Sequence, residues 1–214
     1  MAALGLTQMD VKPRKLPLQD RSRATVDAIV IATTQLLLEQ GYDSLTTAQV
    51  AARAGVSVGS LYQYFPNKAA LATALVERCC TDFEAMLDRA LGDADRRTLE
   101  DSVKSLVDAA FVSHHLPPDL HRLVMDLAPS VGASDKVART SRMATERVEG
   151  MLRAHADELA PGLSVPEAAG VVETMLETLS HRAVRSWPDG QDATVMANEA
   201  ARLVLCYLKG TAPR

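Results

Sequence analysis

Polar and apolar positions repeat with a helical period along almost the whole chain. From about Arg21 to Gln40, residues Val26, Ile29, Val30, Ala32, Thr33, Leu36 and Leu37 fall near the spacing of one helix face, and Gly41 ends the run. Two much shorter segments follow. Leu45-Thr46-x-x-Gln49 reads as a capping box: the Thr46 hydroxyl accepts from the Gln49 backbone N–H, the Gln49 amide reaches back, and Leu45 and Val50 hold the staple positions. Gly55 supplies the left-handed residue that ends such a helix cheaply. Ser57 then caps a second short helix, with Val56 and Leu61 as its staple pair. Pro66 biases Phe65 out of the α region, which stops this helix after about two turns. Val50, Ala51, Ala54, Val56, Leu61 and Phe65 give the pair a common apolar side.

Beyond the Pro66 break, Asn67 caps a fourth helix over 67–91, running through Leu71, Leu75, Val76, Phe83, Met86, Leu87 and Ala90 to Gly92. Five further helices are predicted. Thr98-x-x-Asp101 opens the first; Pro117-Pro118 opens the second, which closes at Pro129; Ser134 caps the third, running to about Leu159. Ser164-x-x-Glu167 starts the fourth, which ends near Trp187-Pro188, and the last spans about Gln191 to Lys209. No strand pattern and no internal repeat is visible, so the expected fold class is all-α.

A helix as short as the one after Ser57 is marginal alone. It makes sense as a rigid piece presenting its outer face, namely Ser57, Val58, Gly59, Ser60, Tyr62, Gln63 and Tyr64. That face is small, hydroxyl-bearing and aromatic, with no acid. Small residues permit close approach, while hydroxyls, phenols and the Gln63 amide suit phosphate oxygens and base edges. Those are the needs of a helix-turn-helix recognition helix. The bland alternative is an ordinary helical hairpin.

Charge sharpens this picture only after the chain is divided. The net charge of −4 argues against a nucleic-acid partner, but residues 1–70 hold seven Lys/Arg against five acids, a net +2, and the remainder sixteen against twenty-two, a net −6. A mildly basic head on an acidic body places the positive field where DNA would sit. Residues 1–20, with Lys12, Arg14 and Lys15, form either a basic arm that grazes DNA or a plain disordered leader. A hydrophobic content of 47% suffices for a substantial core, and no apolar run approaches the ~20 residues of a membrane span. Three cysteines, two adjacent (Cys79, Cys80), make a poor disulfide framework, so a reducing, cytoplasmic setting is expected.

Residues about 21–72 resemble the N-terminal domain of TetR-family transcriptional regulators. The resemblance rests on Ile29, Ala32, Leu36, Gly41-Tyr42, Thr46-Thr47, Val50-Ala51, Ala54 to Gly59, and Leu61-Tyr62-x-Tyr64-Phe65-x-Asn67-Lys68-x-x-Leu71. It implies a three-helix helix-turn-helix domain over 21–68 and a larger helical ligand-binding and dimerisation domain over 69–214, linked by the fourth helix. It also implies that Thr47, Tyr62, Tyr64 and Lys68 position the DNA backbone. Lys68 stands at a helix N-terminus, where free N–H groups and the dipole already favour an anion. Ala48 departs from the family's longer polar residue and cannot hydrogen-bond, which leaves base reading to the Ser57–Gln63 segment.

The expected partners are a double-stranded DNA operator, a small-molecule effector, and a second copy of the chain joined through about 166–186 and 191–209. Met86, Phe111, Met125, Met143, Met151 and Met175 are candidates to line an apolar ligand pocket, and Arg122, His155 and His181 to anchor a polar group; each is also ordinary as core or surface. No cofactor, metal site or catalytic set is expected, because no phosphate-binding, nucleophile-elbow or zinc-binding motif is present and Pro117-Pro118 separates His114-His115 from His121. The function expected is therefore a ligand-releasable repressor on a pseudo-palindromic operator, not an enzyme; the alternative is a nucleoid-associated DNA-binding adaptor without an inducer.

Overall fold

The first helix, α1 (Asp20–Ser44), kinks at Gly41, whose φ of 76° and ψ of 173° end the regular spiral and leave residues 42–44 as one further turn. Its periodic apolar face is the buried one: Ile29, Val30, Ala32, Leu36 and Leu37 are all buried. Thr33 shares that face and satisfies its hydroxyl by donating to the Ile29 carbonyl at 2.8 Å. The computed structural model describes residues 20–112, 119–186 and 193–211. Every regular element among them is helical.

The short pair follows as α2 (Thr47–Arg53) and α3 (Val58–Tyr64), then α4 (Lys68–Leu91). After these come α5 (Leu99–Val112), α6 (Asp119–Ser130), α7 (Ser134–Ala154), α8 (Val165–Ser186) and α9 (Ala193–Lys209), with 3-10 turns at Ala94–Arg96 and Ala156–Glu158. None of the described helices is long and apolar enough to cross a membrane.

The described residues form two compact units, within Met1–Cys79 plus Asp119–Val137 and within Cys80–Pro118 plus Ala138–Arg214. This division differs from a boundary at residue 68: 69–79 and 119–137 group with the head. The reason is packing, since α6 lies against α1, burying Leu120, Val124, Leu127 and Ala128. The Thr73 hydroxyl donates to the Val131 carbonyl at 3.5 Å within the same unit. Ile29, Leu37, Leu45, Val50, Leu61, Phe65, Leu71 and Leu75 are at most 2% exposed and form its core, each worth about 1.5–3 kcal/mol of transfer free energy.

In the second unit, α5 packs against α9 and α8. Leu99, Val103, Val107, Leu152, Val172, Val204 and Leu208 fill its centre. A polar cluster is buried beside that core. His155 Nε2 lies 3.0 Å from the Ser102 hydroxyl, and Nδ1 lies 3.2 Å from Glu158 Oε1. The same Glu158 oxygen accepts from the Leu99 backbone N–H at 3.0 Å. Both ring nitrogens therefore have partners, and the start of α5 is tied to the end of α7.

Both limits of α7 differ from the sequence expectation, and α6 runs one residue past Pro129, to Ser130. Ser134 is the first residue of α7 rather than its cap; the Ala133 carbonyl already accepts from the N–H groups of Lys136 and Val137. α7 ends at Ala154, not near Leu159, because His155 leaves helical geometry at φ −114°, ψ 26° and the chain tightens into a 3-10 turn. Residues 1–19, His114, His115, Pro117, Pro118, Trp187, Pro188 and Gln191 lie outside the described residues, as does the side chain of His181.

Candidate nucleic-acid interface

The interface is built from caps. Thr46 and Gln49 form the expected box: the Thr46 N–H donates to Gln49 Oε1 at 2.9 Å, and the Gln49 N–H donates to Thr46 Oγ1 at 3.2 Å. Gln40 Nε2 adds a 3.2 Å bond to the same Gln49 oxygen, tying α1 to the start of α2. Gly55 takes the left-handed conformation at φ 68° and turns the chain. The Ser57 hydroxyl caps α3 by accepting from the Ser60 N–H at 3.0 Å, and extended Phe65, at φ −124°, ends α3 before Pro66.

The far end of α2 is pinned by a bidentate pair. Arg53 donates to both Glu39 oxygens at 2.8 Å. These hydrogen bonds hold the Glu39 carboxyl below the usual carboxylate range. Neither this pair nor the Gln40–Gln49 bond was visible in the sequence, because the partners sit nine to fourteen positions apart across the α1–α2 turn.

The outer face of α3 is presented as expected. Val58, Gly59, Tyr62 and Gln63 are exposed, with Ser60 and Tyr64 half-buried. No Asp or Glu occurs anywhere from Ser44 to Val76. The structure also shows what is already committed on this face. The Tyr62 phenol and Thr47 hydroxyl are 3.0 Å apart, and the Ser57 and Ser60 hydroxyls are 2.8 Å apart. Gln63 has no intramolecular hydrogen-bond partner among the described residues, so its amide keeps both donor and acceptor capacity. The Cβ position of Gly59 has only Ser57 Oγ nearby, at 3.9 Å.

Asn67 Oδ1 accepts from the Ala70 N–H at 2.8 Å, capping α4 as the sequence predicts. Lys68 follows at the first helical position, its Nζ donating to the main-chain carbonyls of Tyr42 at 3.3 Å and Asp43 at 3.4 Å. Tyr42 was singled out in the sequence only as part of the Gly41-Tyr42 helix exit; its contact with Lys68 becomes visible only in the fold.

The candidate ligand residues are spread over both compact units. Phe111 and Met151 belong to the core of the second unit, with Met86, Met143 and Met175 packed against it. His155 is buried and already bonded on both nitrogens. Arg122 and Met125 belong to the other unit. Arg122 is well exposed and lies 3.9 Å from Asp126, and Met125 is exposed as well. No cluster of metal-ligating side chains occurs among the described residues.

A capped helix pair presenting an acid-free face, on an all-α scaffold, defines a helix-turn-helix regulator. Residues 29–75 match the family model "Bacterial regulatory proteins, tetR family", and residues 98–208 match "Tetracyclin repressor-like, C-terminal domain". The chain belongs to the tetR family, a family of DNA-binding transcriptional regulators. It is 37% identical over 87 residues to the transcriptional regulator AcuR of Cereibacter sphaeroides, covering 38% of this chain and 39% of AcuR. It is 36% identical over 66 residues to the nucleoid occlusion factor SlmA of Pasteurella multocida, covering 31% of this chain and 32% of SlmA. Against the first curated relatives it matches, the chain spans about a third of their length. The fold is shared with SmeT in its triclosan complex, at a TM-score of 0.67 and 24% identity over 86% of this chain and 90% of that one. SmeT is the repressor of a Stenotrophomonas maltophilia efflux pump.

Proposed function

We propose that the protein is a homodimeric, sequence-specific repressor that leaves a pseudo-palindromic operator when a small molecule binds its second unit. The observation that carries the DNA-reading part is the α3 face: exposed, free of acids, and retaining an uncommitted Gln63 amide beside a glycine. Thr47, Tyr62, Tyr64 and Lys68 take backbone phosphates in this reading, and Ser57, Val58, Gly59, Ser60 and Gln63 meet bases. The Ser57–Ser60 and Thr47–Tyr62 pairs shift the base-reading share towards Gln63, whose amide suits the N6/N7 edge of adenine.

A seven-residue recognition helix reads few base pairs, so pairing two copies on a two-fold site is the natural remedy. The exposed apolar residues Val171 on α8 and Val195 and Leu203 on α9 support a seam through those helices. Release by a ligand requires different affinities for two states, commonly about 1–3 kcal/mol of coupling. SmeT, which shares the fold, has been seen in complex with triclosan.

The test is selection of duplexes from a random pool by the purified protein, followed by sedimentation and a thermal-shift ligand screen. Failure to enrich any sequence, or binding with no salt dependence, overturns the DNA reading. The likeness to SlmA supports a second reading, a nucleoid-associated adaptor that occupies many dispersed sites. Genome-wide occupancy without any small-molecule response selects it.

A further inference from the structure

The Lys68 ammonium is held in place before any ligand arrives. Besides the two carbonyls that it donates to, at 3.3 and 3.4 Å, it stands 4.6 Å from the centroid of the Tyr42 ring. Both carbonyls belong to the turn beyond the Gly41 kink; that of Tyr42 also accepts from the Leu45 N–H at 3.2 Å, and C=O groups at a helix end concentrate negative potential. Burial and the neighbouring Asp43 charge push the Tyr42 phenol above its ordinary value, which favours its neutral form. The ring therefore attracts the cation through its quadrupole, not as a phenolate.

An ammonium has three N–H donors. Two are taken by the Tyr42 and Asp43 carbonyls, and the third has no acceptor among the described residues. A free lysine side chain carries much rotamer entropy, and fixing it in advance reduces what binding must immobilise.

Resting on the DNA reading above, we propose that Tyr42 is a positioning residue for DNA binding: its ring face and carbonyl hold Lys68 so that the one remaining N–H is presented to a single backbone phosphate. Lys68 is then a preset contact, and Tyr42 acts on DNA only through it.

The experiment uses the full-length protein and a duplex that it selects from a random pool, with a scrambled duplex of equal length beside it. Affinity is measured against salt for wild type, Lys68→Ala, Tyr42→Phe, Tyr42→Leu and the double variant Tyr42→Leu/Lys68→Ala. Lys68→Ala should weaken both duplexes alike and reduce the salt slope by about 0.9 per subunit, roughly 1.8 for a dimer on its two-fold site. Tyr42→Phe keeps the ring and should bind as wild type. Tyr42→Leu should weaken binding roughly threefold to tenfold when Lys68 is present and not at all when Lys68 is already alanine.

Because Tyr42→Leu also removes half-buried ring contacts, a series of ring-fluorinated phenylalanines at position 42 provides the shape-preserving control. Affinity should fall step by step with fluorination in the Lys68 protein and stay flat in the Lys68→Ala protein. Multiplicative effects of the two substitutions, or a flat fluorination series, overturn the positioning role while the DNA reading stands. No effect of Lys68→Ala on affinity or slope removes the phosphate contact and the inference together. If wild type binds neither duplex, the DNA reading itself has failed and the inference falls with it.

Discussion

The Thr47 hydroxyl at the start of α2 and the Tyr62 phenol on α3 lie 3.0 Å apart, so two groups expected to meet phosphate independently form one hydrogen-bonded unit. Each hydroxyl can donate one bond and accept two, so the pair still has capacity for an outside oxygen. Tyr62→Phe and Thr47→Ala should each weaken selected and scrambled duplexes to the same extent, and the double variant should lose less than the product of the two. As both groups are solvent-accessible, melting should shift by no more than the equivalent of about 0.5 kcal/mol. A change in preferred sequence from either variant would contradict the backbone role.

Gly59 offers a sharper separation of stability from function. A methyl group there meets nothing of the protein closer than 3.9 Å, and Gly within a helix costs about 0.5–1 kcal/mol against Ala. Gly59→Ala should therefore raise the melting temperature while weakening DNA binding roughly tenfold or more if DNA approaches the backbone at this point. Unchanged DNA affinity in the stabilised variant would show that no such approach occurs.

The Arg53–Glu39 pair makes a pH-dependent contribution to the helix-turn-helix scaffold. Hydrogen bonding to Arg53 lowers the folded carboxyl below its unfolded value. Its stabilising effect is thus present above the unfolded pKa and lost as pH falls through the lower folded one. Glu39→Gln should melt below wild type at neutral pH, and the two curves should converge in acid. Parallel melting curves across that range would exclude the pair as the cause.

Glu173 on α8 runs the opposite way. Burial, then the nearby Glu177 charge, raises its carboxyl above the ordinary value. The protonated form fits the fold better, so stability is fully present below the unfolded pKa and is lost as pH rises through the folded one. Glu173→Gln should melt higher than wild type at neutral pH and match it under acid conditions. A variant less stable than wild type at neutral pH would reveal a partner that needs the charge.

Ser102 and His155, 3.0 Å apart and both buried, form a polar pair inside the second unit. Ser102→Ala leaves His155 Nε2 without that partner and should cost about 1–3 kcal/mol by denaturant unfolding. Removing both polar groups by a second change, His155→Phe, should not add the full cost of each. Strict additivity would show that the two side chains are not coupled.

Much of the helix-turn-helix was legible because its determinants are local. The Thr46–Gln49 box, the Gly55 turn, the Ser57 cap and the Pro66 stop each depend on residues within about four positions, and each formed as read. The α7 limits were misread for the same kind of reason in reverse. A serine before an apolar run resembles a cap, yet Ala133 holds that position, and His155 breaks the helix in a corner built with Ser102, far off in sequence. The candidate ligand residues were harder still. Apolar spacing marks a buried face without telling a lined pocket from a filled core, and the fold places Phe111 and Met151 in the core and Arg122 in the other unit.

By itself the sequence determined the all-α class, the caps and turn of the helix-turn-helix and the acid-free face of α3, since short-range backbone hydrogen bonds and one-residue conformational preferences decide those. Only the tertiary structure decided that α6 packs with the head, that Arg53 is spent on Glu39, that Thr47 meets Tyr62 and that Lys68 rests on Tyr42. Those pairings join residues fourteen or more positions apart. Their choice of partner depends on how helices cross, which no local pattern encodes.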